Sequence, residues 1–172
     1  MEEKAHAAAP KLIDMVGARF ETIVRMGTQE SDTVLFRTQM APGKLVPLHS
    51  HIDPECFYVL SGQIEVFVID EAPGWRVIDA GGSLLIADGV KHVVRNSSDR
   101  PADLIVATNN RLARFFYEAG RPARPEVELL PPTGDDIQRL IRVSQAFGYW
   151  IATPAENAAA ISQVGFGMAH PV

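Results

Sequence analysis

The chain has 172 residues, 47% apolar and 22% charged, with a net charge of −5, enough for one domain with a sizeable core. The acidic balance and the lack of a Lys/Arg cluster offer nucleic acid no basic face. The single cysteine, Cys56, excludes an intrachain disulfide, and no apolar run approaches the ~20 residues of a membrane span.

In chain order, residues 1–18 are Ala-rich and irregular and are expected to form a flexible N-terminal arm, with His6 in solvent. The opening Met1-Glu2-Glu3-Lys4-Ala5-His6 lacks a secretory core, so the expected location is cytoplasmic, with no membrane and no nucleic-acid partner.

From Arg19 to roughly Thr108 short apolar runs alternate with turn signals, and the domain they build is expected to extend over 19–120. Strands are expected over 20–26, 34–40, 46–51, 56–60, 63–68, 75–79, 83–86, 92–96 and 102–107, broken by Ala41-Pro42-Gly43, Asp53-Pro54, Ser61-Gly62, Pro73-Gly74, Gly81-Gly82 and Asp88-Gly89. Many short strands at near-regular spacing predict an all-β sandwich or barrel. Period-2 alternation puts Ile64, Val66 and Val68 on one face, and His92 on one face with Val94 and Asn96. In the strand before Gly43, Val34, Phe36, Thr38 and Met40 form the natural core face, which leaves Arg37 solvated or at a subunit contact. Cys56 points away from Glu55 and reads as a buried, inert thiol. Phe57 and Val59 share the parity of Glu55 and read as core packing, with pocket lining the alternative. No internal repeat is present.

Residues 121–132 form a Pro-rich linker. Thr133 is a plausible N-cap, with Asp135 and Asp136 in the first turn, a stripe of Ile137, Leu140, Ile141 and Phe147, and Gly148 as the stop. Residues 154–161 suit a second short helix. Both helices are expected to pack on the outside or mouth of the barrel. The Tyr149-Trp150-Ile151 cluster reads as a hydrophobic anchor for the tail, with a lid over the mouth as the alternative. His170 belongs to the tail and is expected in solvent.

The remaining three of the five histidines, His49, His51 and His92, fall with Glu55 on a spacing that reads as one metal site. Residues two apart in a strand point the same way, about 6.7 Å apart along the backbone, so His49 and His51 can both aim inward. The Asp53-Pro54 turn returns the chain at Glu55, and His92 arrives from a distant strand. Three imidazoles and a carboxylate suit Fe, Ni, Mn, Co, Cu or Zn, and ligand type alone does not choose among them. Glu55 has two functional readings, an anionic ligand or a base that takes a proton from substrate.

Gly43-(5)-His49-Ser50-His51-(3)-Glu55-(6)-Gly62 resembles the first motif of the cupins, and Gly81-(5)-Ala87-Asp88-Gly89-(2)-His92-(3)-Asn96 resembles the second, departing only at Ala87, where the family pattern has proline. The 18 residues between the motifs are a usual length for that family. The resemblance implies a double-stranded β-helix (jelly-roll) barrel with a C-terminal helical segment. It implies one divalent transition metal held by His49, His51, Glu55 and His92, and a homodimer. The tail, from Phe115-Phe116-Tyr117-Glu118-Ala119-Gly120-Arg121-Pro122 through Pro131-Pro132-Thr133 to Phe147-Gly148, is similar to single-domain cupins of the quercetin-dioxygenase-like group. That likeness implies a dioxygenase acting on an enolisable phenolic or flavonol-like small molecule, with Glu55 removing the substrate proton. The alternatives are a non-oxidative metal-dependent isomerase, decarboxylase or lyase, and a non-catalytic small-molecule-binding cupin.

Overall fold

The alternation read from the sequence becomes two antiparallel sheets in the computed structural model, which describes residues 12–162. In chain order the strands are β1 (Leu12–Met15), β2 (Ala18–Arg25), β3 (Thr33–Met40), β4 (Leu45–Ser50), β5 (Glu55–Ser61), β6 (Gln63–Ile69), β7 (Gly74–Asp79), β8 (Ser83–Ile86), β9 (Lys91–Arg95) and β10 (Ala102–Asn109). Helix α1 (Asn110–Ala119), the short strand β11 (Arg121–Pro122), α2 (Gly134–Phe147), β12 (Trp150–Ile151) and α3 (Pro154–Ser162) follow. One sheet runs β11-β1-β2-β3-β10-β5-β8 and the other β12-β4-β9-β6-β7. This is the expected all-β double-stranded β-helix, or jelly-roll, barrel with a C-terminal helical segment.

The core lies between the inner faces. Val34, Phe36, Thr38 and Met40 of β3 are buried, as are Ile64, Val66 and Val68 of β6 and Leu104 and Val106 of β10. Phe20, Phe36 and Phe116 form an edge-to-face and tilted cluster with centroids 4.9–6.0 Å apart, a geometry that suits aromatic quadrupoles. A tight turn at Gly62 joins β5 to β6. Its φ is 75°, and a Cβ there would lie 2.8 Å from the carbonyl oxygen of Pro101, so only glycine fits.

Four features depart from the sequence reading. First, the flexible arm expected over 1–18 is, in its described part, ordered: β1 pairs with β2 and β11, and Ile13 is fully buried. Leu12 to Met15 carry enough apolar surface to extend the sheet, which outweighs the Ala-rich composition before them. Second, the Pro-rich linker opens with β11, whose two residues pair with Ile13 and Asp14. Third, α1 occupies the end of the 19–120 domain, after the last expected strand, where no helix was expected. Leu112, Phe115, Phe116 and Ala119 repeat at helical spacing and are all buried, and Asn109 caps the helix by accepting from the Leu112 N–H. Fourth, Cys56 is only half-buried, on the outer face of its sheet. His6 and His170 lie outside the described residues.

Helix α2 begins at a capping box formed by Thr133 and Asp136 and ends at Gly148 in the left-handed region. Helix α3 starts at Thr153 and Glu156, which bond reciprocally in the same way. It is tied to β4, because Asn157 Oδ1 accepts from the Leu48 N–H at 2.9 Å. Leu48, Phe67 and Val93 on the outer face of the second sheet pack against Trp150 and Ala160, so the tail covers that face. No helix among the described residues is long and apolar enough to cross a membrane.

Candidate metal centre

Strand β4 carries the first donor. Its ladder with β9 shifts register between Val46 and His49, where Pro47 has no N–H to give. The shift places Val46, Pro47 and His49 on the cavity side while Leu48 packs outward. His49 then pairs in register with His92 of β9. His51 follows the end of β4, and Glu55 opens β5 in the other sheet. The four residues thus come from both sheets and meet at one end of the barrel, with their donor atoms all within 4.8 Å of one another.

The imidazoles are oriented by the backbone. Nδ1 of His49 bonds to the Pro47 carbonyl at 2.8 Å, Nδ1 of His51 to the Asp53 carbonyl at 2.7 Å, and Nδ1 of His92 to the Val90 carbonyl at 2.9 Å. A carbonyl oxygen only accepts, so each Nδ1 carries its proton and each Nε2 presents a lone pair in the neutral ring. Nε2 of His51 and of His92 is buried with no hydrogen-bond partner. Buried polar atoms of this kind are rare without a reason. Glu55 Oε2 lies 3.4 Å from His51 Nε2 and 3.5 Å from His92 Nε2, an electrostatic contact longer than a good hydrogen bond. The donor set therefore fits a divalent transition metal: backbone-fixed imidazoles, inward lone pairs and one anionic oxygen.

The electrostatics differ from ring to ring. Burial, followed by the neighbouring imidazoles of His92 and His51, holds the His49 pKa well below 6.5, so this ring is neutral and able to ligate. Burial works against a charged His51, but the adjacent Glu55 carboxylate outweighs it and raises its pKa. Burial would also raise Glu55, yet His51 and His92 outweigh it and keep the carboxyl far below its ordinary range. Glu55 is thus anionic despite lying 6% exposed.

The loop between His51 and Glu55 is pinned from several sides. The Gly89 N–H donates to the His51 carbonyl at 2.7 Å, and the Thr108 hydroxyl donates to the Pro54 carbonyl at 2.8 Å. The turn preceding His92 closes without the family proline: the Val90 N–H donates to the Ala87 carbonyl at 3.2 Å. Asp53, buried in this loop, accepts from Asn109 Nδ2 and from Arg111 Nη1, both at 2.8 Å, and from the Tyr149 hydroxyl. Burial, then the bond to Asp53, pushes the Tyr149 pKa up, so the phenol keeps the proton it donates. The sequence reading passed over Asp53 and Arg111. The available signal was an acid placed between two candidate ligands.

Beside the cluster lies a cavity of about 90 Å³. His49, His51 and Glu55 form one wall, and Phe20, Met40, Phe57, Val106, Phe115, Phe116 and Leu140 supply much of the rest. Phe57 packs in the core, as expected, and also lines the cavity, whereas Val59 is in the core and not in the lining. Tyr149, Trp150 and Ile151 also line the cavity while β12 pairs with Ser50 and His49 of β4, so the anchor and the mouth cover are the same segment. Thr38 and Ser144 add two buried hydroxyls, neither with a hydrogen-bond partner. Arg37 is exposed and 3.8 Å from Asp103, away from the site.

No curated protein matches the chain. Among solved structures, a Cupin 2 conserved barrel domain protein from Salinispora arenicola is similar over 63% of this chain and 87% of its own, at 22% identity and a TM-score of 0.47. The Cupin_2 domain of an XRE family transcriptional regulator from Enterobacter cloacae is similar over 54% and 96%, at 23% identity and a TM-score of 0.45. KdgF from Halomonas sp. is similar over 55% and 81%, at 16% identity and a TM-score of 0.47. The family model described as Cupin_2, cupin domain, matches residues 36–108, a stretch that runs from β3 to β10 and holds His49, His51, Glu55 and His92. Residues 36–108 of this chain are therefore similar to the cupin domain, in keeping with the two-sheet barrel described above.

Proposed function

We propose that the protein is a metal-dependent dioxygenase acting on a small enolisable phenolic, in the manner of the quercetin-dioxygenase-like cupins its tail resembles. The observation that carries this reading is an apolar cavity opening directly onto the histidine–glutamate cluster. When bound by His49, His51, Glu55 and His92, a divalent transition metal supplies Lewis acidity and, if redox-active, access to dioxygen chemistry. The protein's own groups do the rest. The aromatic and aliphatic wall binds a flat apolar ring and excludes water. Thr38 and Ser144 are suited to orient its polar substituents. Glu55, held anionic by the neighbouring imidazoles, serves as a ligand in this arrangement, and swung away from the ion into the apolar cavity, where burial raises its pKa, it would act as the base for the substrate proton.

Oxygen consumption with a panel of enolisable phenolics, measured against bound metal, tests this. Uptake proportional to metal content supports a dioxygenase. Metal-dependent conversion without oxygen uptake supports an isomerase, decarboxylase or lyase instead, and no conversion supports a binding role.

The expected homodimer is part of the same proposal. Leu85, Cys56, Ala107, Leu35 and Val24 stand side by side across five strands on the outer face of the larger sheet. Leu85 is 62% exposed and Val24 38%. A row of this kind suits a face buried by a second copy.

A further inference from the structure

We propose that Asp53, Arg111 and Tyr149 are positioning residues for the metal centre, a buried network that sets His51 and Glu55 in place from outside the ligand set. This rests on the reading of the four-residue cluster as a metal site.

Asp53 sits midway between two ligands and supplies the carbonyl that fixes Nδ1 of His51. Asp53 is 4% exposed, and its carboxylate accepts three hydrogen bonds from three residues far from it in the sequence. Asn109, at the junction of β10 and α1, holds Oδ1, while Arg111 of α1 and the Tyr149 hydroxyl share Oδ2. Arg111 reaches further, donating from Nη2 to the Phe147 carbonyl at 2.6 Å, which joins the end of α2 to the same carboxylate. Tyr149 also lays its ring against His51, with centroids 5.7 Å apart. The residue after it, Trp150, begins the strand that pairs with the His49 end of β4. The ligand loop is therefore gripped at the Asp53 side chain by Asn109, Arg111 and Tyr149, and at the β4 backbone by the strand that follows Tyr149.

A carboxylate used only for stability has no need to stand between two ligands. Partners one layer out from a metal restrict its ligands to the binding rotamer, and their loss typically lowers affinity about 10- to 100-fold. Co²⁺ binding to the full-length protein, by chelator competition and by the d–d absorption spectrum, is the readout. Asp53→Asn is expected to weaken Co²⁺ binding by about 10- to 100-fold and to change the band shape. Tyr149→Phe keeps the ring and removes one hydrogen bond, so it is expected to shift both in the same direction by less. Ile78→Ala, a core change away from the cavity lining, is the control that lowers Tm with wild-type affinity. If Asp53→Asn fails to fold, Tyr149→Phe decides. The proposal is overturned if Asp53→Asn and Tyr149→Phe bind Co²⁺ as wild type does, or if Ile78→Ala loses as much affinity as they do. A wild-type protein that takes up no Co²⁺ overturns the metal site itself, and this inference with it.

Discussion

His49 and His92 face each other across the β4–β9 ladder, in register and with ring centroids 4.2 Å apart. Both rings turn Nδ1 toward the backbone. Two imidazoles this close repel once protonated, and neither can ligate a metal in that state. Protons and metal therefore compete for the same Nε2 atoms. Bound metal is expected to be retained at pH 8 and released progressively as the pH falls through and below the ordinary histidine range, with His51, whose pKa is raised, taking its proton before His49, whose pKa is lowered. Metal content after dialysis across a pH series measures this, and retention unchanged down to pH 4 would contradict histidine ligation.

Phe36 anchors the core away from the site. It is fully buried and touches Phe20, Phe116 and Tyr117. Phe36→Ala is expected to cost about 3–5 kcal/mol, combining lost transfer energy with a residual cavity. Urea unfolding of the metal-free protein reads the cost directly. A loss below about 1 kcal/mol would mean that this aromatic cluster is not the packed centre of the barrel.

Two glycines separate backbone strain from steric clash. Gly148 has φ 72°, and a Cβ there meets nothing within 4 Å. Gly148→Ala should then cost about 1–2 kcal/mol, from the left-handed conformation alone. Gly62 has φ 75° and would also push a Cβ against the Pro101 carbonyl oxygen. Gly62→Ala is expected to lower Tm by clearly more than Gly148→Ala in parallel thermal melts. The reverse order would contradict the turn geometry at Gly62.

The apolar row on the larger sheet makes a prediction about assembly. Sedimentation velocity of the wild type is expected to give twice the chain mass of 18.8 kDa. Leu85→Glu places a charge at the exposed end of the row, where desolvating it would be costly, and is expected to give monomers. A monomeric wild type, or a dimer indifferent to Leu85→Glu, would remove this face as the interface.

Much of the barrel was legible because its strands are short, alternating and separated by Gly/Pro turns. The four donors were legible because their spacing survives any detail of packing. What escaped notice was decided by long-range contacts. Leu12 to Met15 look like part of a tail until β2 and β11 are present to pair with them. Helix α1 starts directly from β10 with no intervening turn residue, so its helical spacing was hidden at the end of a strand. Asp53 reads locally as a turn residue before Pro54. Its partners Asn109, Arg111 and Tyr149 lie 56, 58 and 96 positions away, and only the fold brings them together.

We propose that His49, His51, Glu55 and His92 hold one metal ion. Elemental analysis of protein purified without affinity tag or chelator, set beside His51→Ala prepared identically, tests it most directly. About one transition-metal ion per chain is expected in the wild type, given the four-donor cluster among the described residues, and a near-total loss in the variant. Equal metal content in the two proteins, or none in a wild type incubated with Fe, Ni, Mn, Co, Cu and Zn in turn, would contradict it.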